Sequence, residues 1–519
     1  MIRPLYTMDF ETDPFEFGTV VKPFACGLYD GKNFASVWSS KCAEKMVEHL
    51  NTLDPAIVYI HNGGRFDIFF LLKYLHAEMR IINGRIVSAR LGDHEIRDSY
   101  SIIPVALSQY KKDDIDINKL RRECREAHRV EILSYLRGDC VYLHELVTAF
   151  REDFGEFLTI GSAAMNQLRK FHPFELGNAY LDEKFRKQFF FGGRVQCFKS
   201  GVIDAPFSIY DVNSMYPHVM KNVMHPTGKA FELDTQVGRK THFVMAEGWQ
   251  RGPYGVFPLR NRQGGIDFTT EYGRFACTIH EWNMALETGW FKPRKVIKVY
   301  NFEQTICFPD FVDHFYSARM KAKKDGDKIR LIFYKLILNS AYGKFAQNPD
   351  NFCDWAITQN QRLPEPWTEH FIHNEGEYVI WKKGITRHSY YNVCIGASIT
   401  GAARAQLANG LFRSTGSFYC DTDSIICRRL SGVEKSDTVL GAWKLEAQGE
   451  RLAIAGKKLY AGFDADGECV KMASKGARIS PEEIVRVAQG ETVTFRKDAP
   501  TFKLDGRVEF VERRIRRTV

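Results

Sequence analysis

No Cys-x-x-Cys pair occurs anywhere in the 519 residues, although twelve cysteines are scattered through them. Neither a zinc site nor a disulfide framework is therefore suggested, and a reducing compartment is the simplest setting. No stretch reaches the roughly 20 apolar residues that cross a bilayer. The opening residues lack the basic-then-apolar pattern of a secretory signal, because Asp9 and Glu11 interrupt it early. Neither an internal repeat nor a low-complexity linker is present, so domain boundaries must come from motifs. Acids are the minority charge, 63 against 72 Lys and Arg, and the net +9 suits a polyanionic partner. What remains is ordinary for a soluble globular chain, with 44% hydrophobic and 26% charged residues. The length exceeds the roughly 100–200 residues of one domain, so several are expected. The cluster Arg513-Arg514-Ile515-Arg516-Arg517 is either a solvated tail or a phosphate contact.

The stretch Phe418-Tyr419-Cys420-Asp421-Thr422-Asp423-Ser424-Ile425 reads as two short strands joined by a hairpin. Side chains alternate along a strand, so the spacing places Asp421 and Asp423 on one side. Paired acids repel unless a cation lies between them, and Mg²⁺ favours carboxylate and phosphate oxygens. Alone, Asp-x-Asp is equally a polar turn.

The N-terminal third supplies more acids. Ile2 to Phe10 reads as a strand ending in Asp9 and Glu11, which project to one face. A helix is expected around Ala43–Asn51 and a strand at Ile57–Ile60. The strand leads into His61-Asn62-Gly63-Gly64-Arg65-Phe66-Asp67, with Asp67 at a helix start. From Ile132 to Phe150 the pattern is strongly helical, and Tyr135 and Asp139 share a face at i, i+4. Four separated acids can hold two metals that clamp an in-line phosphodiester hydrolysis, and the Tyr135 phenol can orient the attacking water.

Further on, Phe189-Phe190-Phe191-Gly192-Gly193-Arg194 sets two glycines after an aromatic run, which lets backbone approach a ligand. Ile209-Tyr210-Asp211-Val212-Asn213-Ser214-Met215-Tyr216-Pro217 is a strand entering a turn. Tyr216 is either core packing beside a proline turn or a flat ring placed to exclude a nucleotide's 2′ hydroxyl. Glu271–Leu286 reads as helical and Phe311–Ala346 as a helical hairpin. Its first half carries Arg319, Lys321, Lys323, Lys324, Lys328 and Arg330; in its second, Lys335, Asn339 and Tyr342 fall on one face at i, i+4, i+7. A cation for phosphates, an amide and an aromatic ring suit a nucleoside triphosphate. Lys458 and Tyr460 are expected to point one way on a strand, toward a nucleic-acid backbone.

The ordered set Asp9-x-Glu11, Asn62-x-x-x-Phe66-Asp67 and Tyr135-x-x-x-Asp139 resembles the three motifs of 3′–5′ proofreading exonucleases with an RNase H-like fold. With Phe-x-Gly-Gly, Asp-x-x-x-Met-Tyr-Pro, Lys-x-x-x-Asn-Ser-x-Tyr-Gly, Tyr-Cys-Asp-Thr-Asp-Ser and Lys-x-Tyr following in order, the chain is similar to family B DNA polymerases. It looks most like the protein-primed branch of bacteriophages and linear plasmids. The resemblance implies an α/β multidomain fold: an RNase H-like exonuclease plus a right-hand polymerase of palm, fingers and thumb with two insertions. The expected boundaries are exonuclease 1–152, palm 153–222 and 390–478, first insertion 223–310, fingers 311–346, second insertion 347–389 and thumb 479–519.

The resemblance also implies roles. Asp211 and Asp423, assisted by Asp421 and by Val212, would hold two Mg²⁺, with Mn²⁺ able to substitute. Asp9, Glu11, Asp67 and Asp139 would hold another pair. Lys112 matches a lysine that assists the excision chemistry. Thr12, Asn62, Phe66 and Ser99 match single-strand ligands, although Tyr100 stands where the family has Leu. Gly192 and Gly193 belong to a Tyr-x-Gly-Gly motif that balances synthesis against proofreading, with Phe190 replacing its Tyr. Met215, Tyr216, Lys323, Lys335, Asn339 and Tyr342 would contact the nucleotide; Lys458 and Tyr460 would contact the primer. The implied activity is template-directed DNA synthesis with 3′–5′ proofreading, strand displacement and initiation from a terminal-protein hydroxyl. The implied partners are primer-template and single-stranded DNA, deoxynucleoside triphosphates and a terminal protein, met by a monomer in the cytoplasm of a bacterial host. The competing readings are a nucleic-acid-primed polymerase and a DNA exonuclease without polymerase activity.

Overall fold

The computed structural model describes every residue except 1–2, 112, 178, 234–235, 263, 349–352, 360, 374–376, 385–390, 505–506 and 519. Lys112 therefore lies outside the described residues.

The N-terminal third builds a sheet around two short apolar strands. β1 (Leu5–Thr12) and β4 (Ile57–Ile60) run parallel, and all four residues of β4 are buried. Strands buried on both faces read as continuous apolar runs rather than alternating ones. β2 (Pro23–Tyr29) and β3 (Phe34–Trp38) extend one side. β5 (His76–Ile82), β6 (Arg85–Leu91) and β7 (His94–Asp98) extend the other. α1 (Cys42–Leu50) and α2 (Arg129–Phe154) cover this sheet. The Thr7 hydroxyl fastens α2 to β1 by donating to the Cys140 carbonyl at 2.8 Å. The helix expected to open at Asp67 is a 3₁₀ stretch, Asp67–Tyr74, that buries Ile68, Leu71 and Leu72.

α3 (Ile160–Phe171) and α4 (Ala179–Gln188) lead to a second, seven-stranded sheet. It comprises β8 (Val195–Cys197), β9 (Gly201–Val212), β19 (Ser414–Asp421), β20 (Ser424–Leu430), β21 (Trp443–Gly456), β22 (Leu459–Phe463) and β23 (Cys469–Ser474). The strand order is β23-β22-β21-β9-β20-β19-β8, so β9 sits at the centre. α5 (Met215–Asn222) follows β9 directly. Behind the sheet lies α9 (Val393–Phe412), largely apolar and almost wholly buried, with Arg404 as its one buried charge. Such a helix belongs to a core, not a surface.

Between these elements come two insertions and a helical hairpin. β10 (His225–Leu233), β11 (Thr241–Gln250), β14 (Tyr272–Thr278) and β15 (Phe291–Ile306) form a four-stranded sheet, with β12 (Leu259–Arg260) paired to β13 (Ile266–Asp267) beside it. The helix expected over Glu271–Leu286 is half strand. Tyr272–Thr278 buries Phe275 and Cys277 with period two, and α6 (Ile279–Glu287) starts only where Thr278 and Glu281 close a reciprocal cap. α7 (Pro309–Asp325) and α8 (Lys328–Phe345) form the expected hairpin, turned at Gly326 in the left-handed region.

β16 (Cys353–Thr358), β17 (Thr368–His373) and β18 (Tyr378–Gly384) do not form a separate unit. β16 pairs antiparallel with β5, Trp355 opposite Met79 and Ile357 opposite Ala77, giving one ten-stranded sheet. Ile357 and Ile380 enter the same core as Ile68, Leu71, Leu75 and Met79. The C-terminal part places α10 (Pro481–Ala488) over β21 and β22. β24 (Val493–Arg496) pairs with β27 (Glu512–Ile515), and β25 (Thr501–Phe502) with β26 (Val508–Glu509). The basic ending is docked rather than loose: Arg513–Ile515 lie in β27, and Thr518 N–H donates to the Ala455 carbonyl at 2.9 Å.

Ile357→Ala removes a fully buried side chain from a core shared with the N-terminal sheet. The expected cost is about 2–5 kcal/mol. Chemical denaturation followed through the unfolding of residues 1–154 should show it, although Ile357 belongs to the second insertion.

Candidate active sites

Phe418, Tyr419 and Cys420 are fully buried on β19, and Ile425, Ile426 and Cys427 on β20, which anchors the hairpin between them. Its turn is tight, with Thr422 in the left-handed region at φ 57°. The strict alternation expected of Asp421-Thr422-Asp423 is therefore broken at Thr422. β20 lies against β9 with Ser424 opposite Asp211, and Val212 N–H donates to the Asp423 carbonyl at 2.9 Å. Asp211 and Asp423, far apart in sequence, become neighbours. Burial and then the Asp423 charge push the Asp211 carboxyl up to about 7. Burial raises Asp423 to about 6, and Asp421 adds to the rise.

Asp421 is held differently. Lys458 Nζ donates to both its oxygens, at 2.8 and 2.7 Å, and the Tyr419 hydroxyl donates to it at 3.1 Å. Lys458 is not on a strand: it occupies the turn between β21 and β22 with φ 60°, and its N–H donates to Tyr419 Oη at 2.9 Å. Its ammonium faces a carboxylate here, and Tyr460 packs its ring against Tyr419 at 5.3 Å.

The aromatic pair beside this hairpin is sharply defined. Tyr216 on α5 and Tyr342 on α8 stack with centroids 3.9 Å apart and planes 2° from parallel. Lys335 and Asn339 are exposed on α8, on the face that carries Tyr342, and Lys323 is exposed on α7. Val212 and Met215 are wholly buried, at 0% and 1% exposure, so neither expected contact offers a surface to a ligand. Arg319 is a residue that spacing alone did not single out. Its guanidinium reaches the Ser214 hydroxyl at 3.4 Å, its Nε is buried with no acceptor among the described residues, and burial lowers its pKa. The signal was present as an i, i+4 pair with Lys323 on one helix face.

The glycine pair is resolved into two uses. A Cβ on Gly193 would lie 2.8 Å from the Thr422 side chain, so that glycine lets the turn rest on the carboxylate hairpin. A Cβ on Gly192 would meet nothing within 4 Å, which leaves room for a ligand.

Asp9, Glu11 and Asp139 line a cavity of about 650 Å³ together with Thr12, Asn62, Phe66, Tyr100, Tyr135 and, from the C-terminal part, Arg478 and Asp498, whereas Asp67 is buried and does not reach its wall. Asp9 and Glu11 come from β1, and Tyr135 and Asp139 from α2. Their mutual influence shows their proximity. Burial and then the charges of Asp139, Glu11 and Asp9 raise the Tyr135 phenol, while burial and then Asp9 raise Asp67 well above the carboxylate range. Asn62 adopts the left-handed conformation at φ 58° and accepts from Arg85 at 2.9 Å; Arg85 also pairs with buried Asp98. Phe66 packs edge-on against Phe15, Phe70 and Phe502 at 5.2–5.4 Å. Ser99 is fully buried, donates to the Ile60 carbonyl at 3.3 Å and holds His61 Nδ1 at 3.0 Å. It orients His61 instead of offering a hydroxyl to the cavity, whose wall at that point is Tyr100.

The family of type B DNA polymerases, organellar and viral, matches residues 108–393. A DNA-directed DNA polymerase of Enterobacteria phage PRD1 is 44% identical over 98% of this chain and 97% of its own length. The chain is a type B DNA polymerase. A probable DNA polymerase of Agaricus bitorquis is 24% identical over 85% of the chain and 69% of its own length. The fold matches Phi29 DNA polymerase complexed with primer-template DNA, with TM-score 0.75 and 18% identity over 99% of this chain and all of that one. The expected exonuclease-plus-right-hand architecture is thus the observed one. No helix among the described residues is long and apolar enough to cross a membrane.

No group of three or more His, Cys, Asp or Glu among the described residues is gathered closely enough to enclose a metal ion unaided. Mg²⁺ usually keeps several waters and takes only one or two carboxylates plus phosphate oxygens, so the Asp211–Asp423 pair fits it. The raised carboxyls carry a pH signature. Between the ordinary carboxylate pKa of 3.8 and about 7, the folded polymerase holds a proton on Asp211 that the unfolded chain has lost. Stability without cation therefore falls as pH rises through that window. Asp211→Asn should raise the melting temperature at pH 8 in the presence of a chelator and give no comparable gain near pH 4, as scanning calorimetry can measure.

Proposed function

We propose that the chain adds deoxynucleotides to a primer 3′ hydroxyl under template direction, excises 3′ ends in a second site, and begins synthesis from the hydroxyl of a terminal protein. The observation that carries this reading is the register of β9 on β20, which sets Asp211 beside Asp423 under the stacked Tyr216–Tyr342 pair. Bound Mg²⁺, for which Mn²⁺ can substitute, would supply charge stabilisation at the attacking and leaving oxygens. Asp211 and Asp423 would hold it, with Asp421 released to assist when DNA draws Lys458 away. Lys335, Lys323 and Arg319 would meet the triphosphate, and Asn339 and Tyr342 would flank the incoming base. The primer oxygen attacks the α-phosphorus and pyrophosphate leaves. Tyr216 would exclude ribonucleotides by occupying the space of a 2′ hydroxyl, since stacking on Tyr342 leaves its ring no freedom to tilt away.

In the second site Asp9, Glu11, Asp67 and Asp139 would bind the same ion and Tyr135 would orient water. Lys112 would steady the developing charge. Thr12, Asn62 and Phe66 would grip a single strand; Phe66 is braced for it by Phe70 and Phe502. Protein priming and strand displacement are supported by the whole-length likeness to the phage PRD1 polymerase and by the two insertions, the second anchored in the sheet that carries Asp9 and Glu11. Mixing the protein with its terminal protein and labelled dATP should label the latter; absence of label would favour nucleic-acid priming.

Asp423→Ala should abolish primer extension with Mg²⁺ and leave degradation of a 3′ single strand intact, while Asp9→Ala with Glu11→Ala should do the reverse. Parallel extension and degradation assays read both, and an Asp423→Ala variant that extends primers at the normal rate would refute the assignment. Tyr216→Val should raise ribonucleotide incorporation on the order of tenfold or more relative to deoxynucleotide. Single-nucleotide kinetics with ATP and dATP measure that ratio, and an unchanged ratio counts against the gate.

A further inference from the structure

An ion pair with no part in the chemistry described so far lies between the first insertion and the synthesis site. Arg404 on α9 and Glu281 on α6 are only 3% and 1% exposed, with Arg404 Nε donating to Glu281 Oε1 at 2.7 Å. Arg404 Nη1 donates onward to the carbonyls of Phe191 at 2.6 Å and Gly192 at 3.0 Å. Its Nη2 is buried and meets no acceptor among the described residues. A buried pair with an unmet donor contributes little net stability, and packed apolar side chains would serve stability at least as well. What such a pair does supply is fixed geometry.

The geometry it fixes leads to the acids. The turn held by Arg404 continues into Gly193, which rests against Thr422, and into Arg194, whose carbonyl accepts from Thr422 N–H at 2.7 Å. Thr422 is the left-handed residue between Asp421 and Asp423. The same turn is fastened to the first insertion twice more: Arg260 donates to the Phe190 carbonyl at 2.5 Å, and buried Arg194 donates to the carbonyls of Tyr254 and Gly255. α6 itself is seated on α9 where Gly401 leaves no room, since a Cβ there would lie 2.3 Å from the Thr278 side chain. Gly401 and Arg404 are one helical turn apart, on the same face.

We propose that Arg404, braced by Glu281, is a positioning residue for DNA synthesis, and that through the Phe191–Arg194 turn it sets the placement of Thr422 and thereby of Asp423. This rests on the reading of Asp211 and Asp423 as the synthesis site. The first insertion is thus part of that site's support.

The test compares Arg404→Met, Arg404→Lys and Gly401→Ala. Arg404→Met should lower the maximal rate of primer extension about tenfold, with a smaller change in KM for the nucleotide, and weaken Mn²⁺ binding at the synthesis site about tenfold or more. Mn²⁺ alone, titrated by electron paramagnetic resonance in an Asp9→Ala, Glu11→Ala background, gives the second value without turnover. Degradation of a 3′ single strand, measured with Asp9 and Glu11 intact, should stay within about twofold. Arg404→Lys keeps the charge opposite Glu281 but gives up the forked donation, and carries the test if Arg404→Met does not fold; it should move extension and Mn²⁺ binding the same way. Gly401→Ala, which keeps every charge, should do likewise by lifting α6. Extension and degradation falling together, or unchanged Mn²⁺ affinity, would overturn the proposal. A natural protein that does not extend primers, or an Asp423→Ala variant that does, would instead overturn the reading it rests on.

Discussion

One backbone hydrogen bond, from Val212 N–H to the Asp423 carbonyl, and the pairing of Ser424 with Asp211 beside it, decide what the rest of the polymerase half can do. A slip of one residue between β9 and β20 would send every side chain of one strand to the opposite face and separate the two carboxylates. The register is secured by the pairs below it, Ile425 with Tyr210 and Ile426 with Ile209, and by β21 on the other side of β9, where Lys444 faces Asp211. Buried α9 presses on this sheet from behind. The apolar packing overrules the repulsion at the strand ends, where both acids are pushed toward neutrality. The fold thus tolerates a local cost that a bound cation would relieve.

The N-terminal acid cluster solves the same problem with other elements. Its acids arrive from a strand, a 3₁₀ stretch and a long helix, and Asp67 and the Tyr135 phenol are raised first by burial and then by the neighbouring acids. Here the sheet edge is not closed by the N-terminal third alone. β16 continues it, and Phe502 from the C-terminal part reaches Phe66, Phe69 and Phe70 at the cavity rim. Residues remote in sequence complete the wall in both cases.

Much of this was legible in the sequence because motifs carry local physics. Asp9 and Glu11 had to share a face of a strand, Tyr135 and Asp139 a face of a helix, and Lys335, Asn339 and Tyr342 another; each pattern is set by backbone period alone. The hairpin around Asp421 was equally readable. What local period cannot show is a non-local pairing or a single left-handed residue. The sheet shared by β5 and β16 leaves no trace in either segment, since any apolar strand could be its partner. Thr422 and Lys458 carry side chains that give no warning of positive φ, so the strict alternation expected at both places failed. Residues 271–278 read as helix because apolar residues recur there at mixed spacing, and only the cap formed by Thr278 and Glu281 places the change of period. Ser99 matched a ligand motif, but its burial beneath His61 depends on how β4 and β7 pack side by side.

The two insertions are then not equivalent appendages. The second is hydrogen-bonded into the sheet that carries Asp9 and Glu11, and its apolar residues complete that sheet's core. The first holds the turn at Phe190–Arg194 through Arg260, through Glu281 on Arg404 and through the carbonyls that receive Arg194. Each insertion is built into the support of a different acid cluster. A load placed on the outer surface of the first would reach the Asp421–Asp423 hairpin through a short run of charge-assisted hydrogen bonds, which are directional and resist bending. A load on the second would reach the N-terminal sheet through strand pairing and apolar contacts. Packed elements transmit displacement because they are dense and have few alternative arrangements. On this view the division of the chain into insertions and catalytic modules is a matter of sequence order, and the mechanical units are the two sheets with whatever has been sewn into them.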